Sequence, residues 1–434
     1  MAGGKWETQN KVRPGAYINF ETNDLNTMGV DSAGAVAFPV VLDWGVTQKF
    51  IKVTSNTKFI ETFGKSLGEI LEIREAFKAN GNVQVYNLAA EGTKASGTVA
   101  DSTFKATAIH GGAGGNKIQV TGVVNLDGST TVKTFFNGDQ MDNQTATTTA
   151  ELKPNAFVTF EGDLPLGDFV LTLAGGSTGS VSNGAISNFA EALDTLNFKV
   201  VAFGTDDNTS KSLLALKVKE FRENVGKNVA FVTNEYNAAD HEGVISVKNG
   251  VVLDGGEELT AAQAVYWYGA RYAAATTESL TYQMYPGAID CERLTHDEIV
   301  QALKDGHIVF AVNNEEVVVE QDINTFRTFT PAKNQDFRKG KIVRGMDIIS
   351  NNTQYVFSKY FIGRVNNHAD GRDLFKKELM KTVLDPYVRL GVIDAYEPAD
   401  ITIEQGNEKD SVFVVMALKF VDAMEKLYMR VDCK

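Results

Sequence analysis

The sequence predicts an α/β core with an inserted all-β module, a C-terminal α+β domain and extended, strand-forming termini. Apolar strands alternate with amphipathic helices, which is typical of a parallel sheet flanked by helices. The alternation stops after residue 92, where a stretch rich in Thr, Ser, Asn and Gly begins that contains no Arg, Trp or Tyr, and it resumes near residue 180. We therefore divide the chain into an N-terminal arm (1–32), the α/β core (33–92 with 177–329), the inserted module (93–176), the C-terminal domain (330–424) and a C-terminal strand arm (425–434).

The first 92 residues contain the arm and the first elements of the core. One strand-like segment, 16–20, lies in polar sequence without apolar periodicity, so the arm cannot build a core of its own. Ser66 and Glu69 form an S-x-x-E capping box, which predicts a helix over 67–80. Strands are predicted around it, over 35–42, 50–53 and 83–88.

The inserted module reads as a β-sandwich or barrel. Its short apolar runs are separated by turn residues, among them Asp127-Gly128 and Asn137-Gly138. The runs that we assign to strands are 104–109, 118–124, 132–136, 156–160 and 169–173.

The second half resumes the alternation of helices and strands. Continuous apolar strands at 198–203 and 229–233 indicate a buried parallel sheet. Capping boxes at Thr260 with Gln263 and at Thr295 with Glu298 open two of the helices. The remaining predicted elements are helices within 186–196, 211–224, 261–276, 296–306, 337–361 and 372–384, the last stopped before Pro386, a hairpin over 308–320, and strands over 401–403, 412–420 and 427–431.

Composition excludes several classes of protein. The 434 residues include 55 acidic and 42 basic side chains, and the net charge of -13 would repel a phosphate backbone. The apolar runs are much shorter than the roughly 20 residues of a membrane-spanning helix, and the first residues lack the pattern of a secretory signal. With only Cys291 and Cys433, no disulfide framework is possible, which indicates synthesis in a reducing cytosol. We expect no nucleic-acid partner and no membrane insertion.

No motif nominates a catalytic, cofactor-binding or metal site, so we expect no enzyme and no cofactor. The histidines (His110, His241, His296, His307 and His368) are scattered, and no C-x-x-C motif is present. The glycine-rich run 111–117 lacks the Gly-Lys-Ser/Thr of a phosphate loop and is predicted to form a turn. Acidic neighbours Asp290 and Glu292 should raise the pKa of the Cys291 thiol. Asp206 and Asp207 either cap a helix, which we favour, or bind a ligand.

Basic residues cluster late in the acidic chain. Between residues 326 and 345 there are six of them against the single acid Asp336: Arg327, Lys333, Arg338, Lys339, Lys341 and Arg344. In a later helix Lys377 and Lys381 fall opposite the apolar stripe of Phe375, Leu379 and Val383. This side is either a solvated face balanced by Asp373 and Glu378 or a surface for an acidic partner protein, and both interpretations stay open.

Five segments, in order along the chain, resemble those of one family. They are 13–17 (RPGAY), 59–64 (FIETFG), 173–177 (LAGGS), 321–326 (QDINTF) and 421–429 (VDAMEKLYM). All are similar to segments of contractile tail sheath proteins, which serve myophages, R-type bacteriocins and related injection systems. The family's α/β domain is called subtilisin-like for its topology, but this sequence shows no hydrolase triad.

The resemblance implies a structural subunit of a virion or bacteriocin tail, synthesised in the bacterial host cytoplasm. Such subunits polymerise as stacked hexameric rings in a helical sheath around an inner tail tube, and the sheath contracts to drive the tube through the target cell envelope. The implied partners are further copies of the chain, the inner tail tube protein, and the baseplate and tail terminator proteins. The β module would then face outward.

Two sets of residues become candidate contact sites under this resemblance. The basic residues Arg338, Lys339, Lys341, Arg344, Lys377 and Lys381 are expected to face the tube. Strand exchange between subunits is expected to involve Tyr17, Ile18, Phe20, Leu427, Tyr428 and Val431, since an extended segment can add to a foreign sheet edge. A capsid or surface-lattice protein remains an alternative, and an α/β hydrolase is a more distant one.

Overall fold

The computed structural model describes residues 34–433 and the backbone of two short strands nearer the N-terminus, Gly3–Gly4 and Ala16–Tyr17. The protein has a mixed α/β fold and forms two compact units. The first unit comprises Met1–Ala37, Glu75–Asn82 and Asn197–Lys434, and the second comprises Phe38–Arg74 and Val83–Leu196. The five-part division made from the sequence stays a prediction.

A buried parallel sheet lies at the centre of the first unit. Val200–Ala202 pairs in parallel with Ala230–Asn234, which pairs with Val244–Val247, which in turn pairs with His307–Ile308. On the other side of Val200–Ala202 runs the start of Val36–Val40. The strands are almost entirely inaccessible, as continuous apolar runs require. Val244–Val247 (VISV) was not predicted, because so short a run without flanking helices carries no periodic signal.

The helices of this unit begin where their caps predict. Asp207 accepts hydrogen bonds from Thr209 N (3.1 Å) and Ser210 N (3.0 Å), which confirms the capping interpretation. Both predicted capping boxes, at Thr260 and Thr295, are present. The helices are Asn208–Glu220 with a π-turn Phe221–Val225, Ala261–Ala274 and His296–Lys304.

Small antiparallel sheets complete this part of the chain. Val251–Leu253 lies between Glu258–Leu259 and Ala288–Cys291, three strands that the sequence did not predict. The predicted hairpin is present as Phe310–Asn313 paired with Glu316–Val319.

The second unit contains two sheets packed around an aromatic core. One sheet has four strands in the order Asp139–Ala146, Thr130–Phe136, Ile118–Val124 and Phe169–Thr172, and the other has three, Val158–Glu161, Lys105–Gly111 and Lys94–Thr98. Lys94–Thr98 and Asp139–Ala146 were not predicted, because they are edge strands with few apolar residues. The core includes Trp44, Phe104, Phe136 and Phe157.

Turns and helices of the second unit follow local rules. Asn137 and Gly138 have φ values of 52° and 91°, the left-handed conformation that a tight hairpin turn requires. The glycine-rich run forms the 3-10 turn Ala113–Lys117 ahead of a strand, in line with the predicted turn. Two further strands, Phe50–Val53 and Val83–Asn87, pair with each other. The short helical elements are Phe59–Phe63, Leu67–Glu69 after the Ser66 capping box, Thr149–Glu151 and Ala185–Ala192. The helix Leu71–Phe77 begins in this unit and ends in the first.

The last hundred residues form helices over a small antiparallel hairpin. The elements are Gln335–Arg338, the long helix Gly340–Val356, a π-turn Phe357–Phe361, the late helix (Ala369–Glu378, Leu379–Leu384 and Asp385–Arg389), Pro398–Asp400 and the C-terminal hairpin (Ile401–Gln405 with Val412–Met416). The late helix does not stop before Pro386, contrary to the prediction. Proline has no N–H, and the turn Leu379–Leu384 before it has wider, π-type hydrogen bonding.

Candidate inter-subunit surfaces

The late helix has the two sides that its sequence predicts. Phe375, Leu379 and Val383 are buried, whereas Lys377 and Lys381 are exposed. Neither lysine forms an ion pair with the described residues, and the Glu378 carboxylate instead accepts from the Thr382 hydroxyl at 2.5 Å. The balance of charge with Asp373 and Glu378 is therefore not realised as ion pairs, and two cationic groups stand on the surface.

Arg344 does not lie on that surface. Its guanidinium is inaccessible, forms an ion pair with Asp322 at 2.6 Å, donates to Glu278 O at 2.8 Å and stacks on the Tyr272 ring at 4.5 Å. Burial alone would lower the pKa of Arg344, but the Asp322 carboxylate outweighs it and the pKa is raised. Arg344 is therefore not exposed on the subunit, and its expected contact with the tube stays a prediction.

The other members of the basic cluster are mostly occupied within the chain. Arg338 donates to Leu303 O, and Lys333 pairs with the buried Glu242 at 2.7 Å. Lys339 pairs with Asp422 at 3.0 Å and with Glu425 at 2.5 Å. Lys341 is half-buried, which lowers its pKa. The cluster is therefore mainly an internal network rather than a continuous basic face.

The terminal segment, 417–433, lies outside every helix and strand of the described residues. Its last backbone links to the rest of the subunit are a bridge between Phe420 and Ile393 and a hydrogen bond from Val421 N to Val392 O. Beyond them Leu427, Tyr428 and Val431 are exposed, at 85%, 89% and 70%. Residues 427–431, predicted to be a strand, are thus not paired within the described part of the chain, and their apolar side chains face solvent.

The C-terminal hairpin has two open edges. Its strands pair only with each other, from Ile401 with Met416 to Gln405 with Val412, and no third strand joins them in the described residues. An isolated two-stranded sheet is marginal in water, and its unpaired N–H and C=O groups are a template for a further strand.

Of the N-terminal residues expected to take part in strand exchange, the structure describes only the backbone of Tyr17. The backbone of Ala16–Tyr17 pairs in parallel with Gly3–Gly4 of the same chain, and the strand exchange expected of this arm in the assembled state stays a prediction. Ile18 and Phe20 lie outside the described residues.

One serine and histidine pair resembles hydrolase chemistry but does not support it. Ser246 Oγ lies 2.7 Å from His307 Nδ1, and burial lowers the pKa of His307 to about 4. Ser246 is completely inaccessible, and its Oγ also accepts from Tyr236 N at 2.7 Å. A nucleophile must reach its substrate. The pair therefore joins two neighbouring strands, and sequence reasoning missed it because the residues are 61 positions apart.

Other candidate chemistry is equally unsupported. A cavity of about 620 Å³ lies where the parallel strands end, lined by Asp206, Glu235, Lys248 and Glu298 among others. Lys248 is paired with Glu235 at 2.6 Å. The pKa of the Cys291 thiol is raised, mainly by burial and with a contribution from Asp290 and Glu292, as expected. In residues 34–433 no group of His, Cys, Asp and Glu is arranged to hold a metal ion, and no helix there is long and apolar enough to cross a membrane.

Family models match three successive parts of the chain. They are the tail sheath protein Gp18 domain III N-terminal region over 33–88, the phage tail sheath protein central domain over 179–325 and the phage tail sheath C-terminal domain over 332–434. Residues 89–178, which include the whole β module, lie between the first two matches.

Individual relatives agree with these matches. The phage-like element PBSX protein XkdK of Bacillus subtilis is 33% identical, with 100% of both chains covered. The crystal structure of a sheath tail protein from Desulfitobacterium hafniense is 35% identical and superposes with a TM-score of 0.83 over 96% of this chain and 99% of that one. The sheath of an extracellular contractile injection system, PVC, in its contracted state shares the fold alone, with a TM-score of 0.54 at 10% identity over 98% and 99% of the two chains. The chain belongs to the family of contractile tail sheath proteins, the resemblance that its five sequence segments indicated.

Proposed function

We propose that this chain polymerises as stacked hexameric rings around an inner tail tube, held by strand exchange, and that the resulting sheath contracts to drive the tube through a target cell envelope. The observation that carries the proposal is the exposed apolar segment 427–431, which lies outside every strand, in a subunit whose C-terminal hairpin has two open edges. The arm that contains Tyr17, Ile18 and Phe20 is proposed as the second donated strand.

The energetics favour exchange in a lattice rather than in a pair of subunits. A donated strand adds four or five backbone hydrogen bonds at about 0.5–1.5 kcal/mol each, against an ordering cost of about 1–2 kcal/mol per residue. Burial of Leu427, Tyr428 and Val431 would contribute about 1.5–3 kcal/mol for each large apolar side chain. Each link is thus weak alone, and repetition through the sheath makes the whole resistant to dissociation.

Tube contact is proposed for the exposed face of the late helix, with Lys377 and Lys381 as its cationic groups. The β module is proposed to face outward, and baseplate and tail terminator proteins to bind the two ends of the sheath. We propose no catalytic role, because Ser246, the serine of the serine and histidine pair, is inaccessible. Synthesis in the bacterial host cytoplasm fits the two unpaired cysteines.

A surface variant tests strand exchange. Leu427→Ser, Tyr428→Ser and Val431→Ser together keep the length of the arm but remove the apolar side chains that a neighbour would bury. We expect a folded, soluble monomer that forms no tubes by electron microscopy under conditions in which the original chain does.

The matched control is Leu126→Ser with Leu166→Ser, two fully exposed leucines of the second unit. This control should assemble normally. Full-length contractile sheaths from the triple variant would refute the strand-exchange proposal. Flat sheets or shells from the original chain would favour a surface-lattice protein instead.

A further inference from the structure

Beyond its last backbone links at Phe420 and Val421, the terminal segment contacts the rest of the subunit through the side chain of Glu425. The Glu425 carboxylate accepts hydrogen bonds from Lys339 Nζ (2.5 Å), Gln321 Nε2 (2.7 Å) and Thr281 Oγ1 (2.8 Å). Its side chain is only 10% exposed. The neighbouring Met424 and Leu427, in contrast, are exposed at 104% and 85%. The segment therefore inserts the Glu425 side chain into the subunit, while Met424 and residues 426–433 are exposed.

The site that receives Glu425 is built by the rest of the subunit. Thr281, Gln321 and Lys339, which we call the polar socket, come from three separate places in the sequence. Thr281 Oγ1 accepts from Asp322 N at 2.9 Å, and Asp322 is the buried partner of Arg344. A backbone bridge between Ile323 and Lys339 holds the third member. These contacts place Thr281 and the backbone of Lys339 independently of the terminal segment.

Charge and hydrogen-bond capacity of the site match a carboxylate. Three donors, one of them cationic, converge on the two Glu425 oxygens. Asp422, three residues before Glu425, pairs with the same Lys339 ammonium group at 3.0 Å. Charge-assisted hydrogen bonds of this kind are stronger and more directional than neutral ones. Glu425 is thus held in one place even though the residues beyond it are not.

We propose that Glu425 anchors the C-terminal arm at the polar socket, so that only the residues after it, 426–434, are donated to a second copy of this chain. The proposal rests on strand exchange as proposed above. Nine residues at roughly 3.3 Å each reach about 30 Å from the anchor. An arm that starts at Glu425 loses less freedom on docking than one that is held only up to Val421, which favours insertion into a neighbour. Lys339 is accordingly a positioning residue of the arm and not a tube contact.

The mobility of a spin label placed next to Glu425 tests the anchor. In the full chain with Cys433→Ser, a nitroxide on Met424→Cys reports the segment beside Glu425, while the buried Cys291 stays unlabelled. Glu425→Gln removes the charge and keeps the shape, and we expect the rotational correlation time of the label to fall at least twofold. Lys339→Met, a change on the socket side, should have the same effect. The matched control is Asp432→Asn, because Asp432 belongs to the same segment but pairs only with Arg430 on the surface.

Assembly of the unlabelled variants completes the test. Glu425→Gln and Lys339→Met should slow sheath formation several-fold, with Asp432→Asn unchanged. Unchanged label mobility in Glu425→Gln would overturn the anchor, even if the Ser variants of residues 427, 428 and 431 abolish assembly and strand exchange stands. Increased mobility with normal assembly would also overturn it, because the contact would then not position the arm. If the Ser variants assemble normally, strand exchange itself fails, whatever the label shows.

Discussion

Arg344 and Asp347 lie one turn apart on the long helix Gly340–Val356 and each forms a buried ion pair. The helix supplies the cation of one pair and the anion of the other. Arg344 pairs with Asp322 and Asp347 with Arg222, both at 2.6 Å. Both partners belong to the part of the chain matched by the central-domain model, whereas the helix belongs to the part matched by the C-terminal-domain model. The two pairs therefore join these parts within one compact unit.

Removing one partner of such a pair leaves the other charge buried without compensation. We expect Arg344→Met and Asp322→Asn each to lower the free energy of unfolding by about 3–5 kcal/mol. The double variant should cost less than the sum of the two, since neither charge then remains alone. Urea denaturation of the purified subunits measures all three. Arg293→Met is the control, because its ion pair with Asp290 is exposed and should matter little. Equal effects of Arg293→Met and Arg344→Met would contradict this account.

Lys377 and Lys381 are predicted to act on assembly and not on folding. Both are exposed and have no acidic partner in the described residues, so Lys377→Glu with Lys381→Glu should leave the unfolding midpoint unchanged. On tubes the same variant should impair extended sheath formation, and the original contact should weaken as salt rises because exposed charges are screened. Co-sedimentation with tubes measures this. Lys94→Glu with Lys153→Glu, an equal charge change at exposed positions of the second unit, should bind normally. Normal extended particles from the first variant would refute the tube assignment.

At the scale of elements, the helix Ala261–Ala274 approaches the parallel sheet closely at Gly269. A Cβ there would lie 2.7 Å from Ala202 Cβ, closer than real side chains come. Glycine inside a helix is otherwise unfavourable, so its position here is explained by the close contact.

Gly269→Ala is therefore expected to destabilise the protein. Overpacking costs about 1–3 kcal/mol, which the gain of about 0.8–1.0 kcal/mol in helix propensity offsets only in part. Gly68→Ala should be neutral or slightly stabilising, because a Cβ added at this helical glycine would have no atom within 4 Å. Thermal or urea unfolding of both variants decides the point, and a stabilised Gly269→Ala protein would show that helix and sheet have room to separate.

Sequence patterns located most elements and missed a recognisable class of them. Helices with caps, such as those after Asp207 and Thr260, were located because capping is a local interaction between residues two or three apart. Edge strands with polar sequence, such as Asp139–Ala146, were missed because their stability comes from a neighbouring strand. The end of the late helix was misplaced for a related reason. Leu384 and Tyr387, on either side of Pro386, both belong to the buried core of this region, and the π-turn accommodates the proline.

At the scale of the whole molecule, exposed apolar side chains are concentrated in the terminal segment. Met424, Leu427, Tyr428, Met429 and Val431 are exposed within eight residues of one another. Scattered exposed apolar residues are ordinary, but such a concentration on one segment supports the proposal that another chain covers it. This concentration distinguishes the terminal segment from single exposed residues such as Leu126.

By itself the sequence determined the mixed α/β class, the capped helices, the tight hairpin turn, the two sides of the late helix and the family. Each follows from residues within about one turn of one another or from the order of segments along the chain. Only the tertiary structure decided which charges remain available to a partner. Arg344 meets Asp322 at a separation of 22 positions, Lys339 meets Glu425 at 86, and Lys333 meets Glu242 at 91. Ion pairing depends on distance in space, and folding alone brings such separated charges within 3 Å, so a basic cluster in the sequence became an internal network with two exposed lysines beyond it.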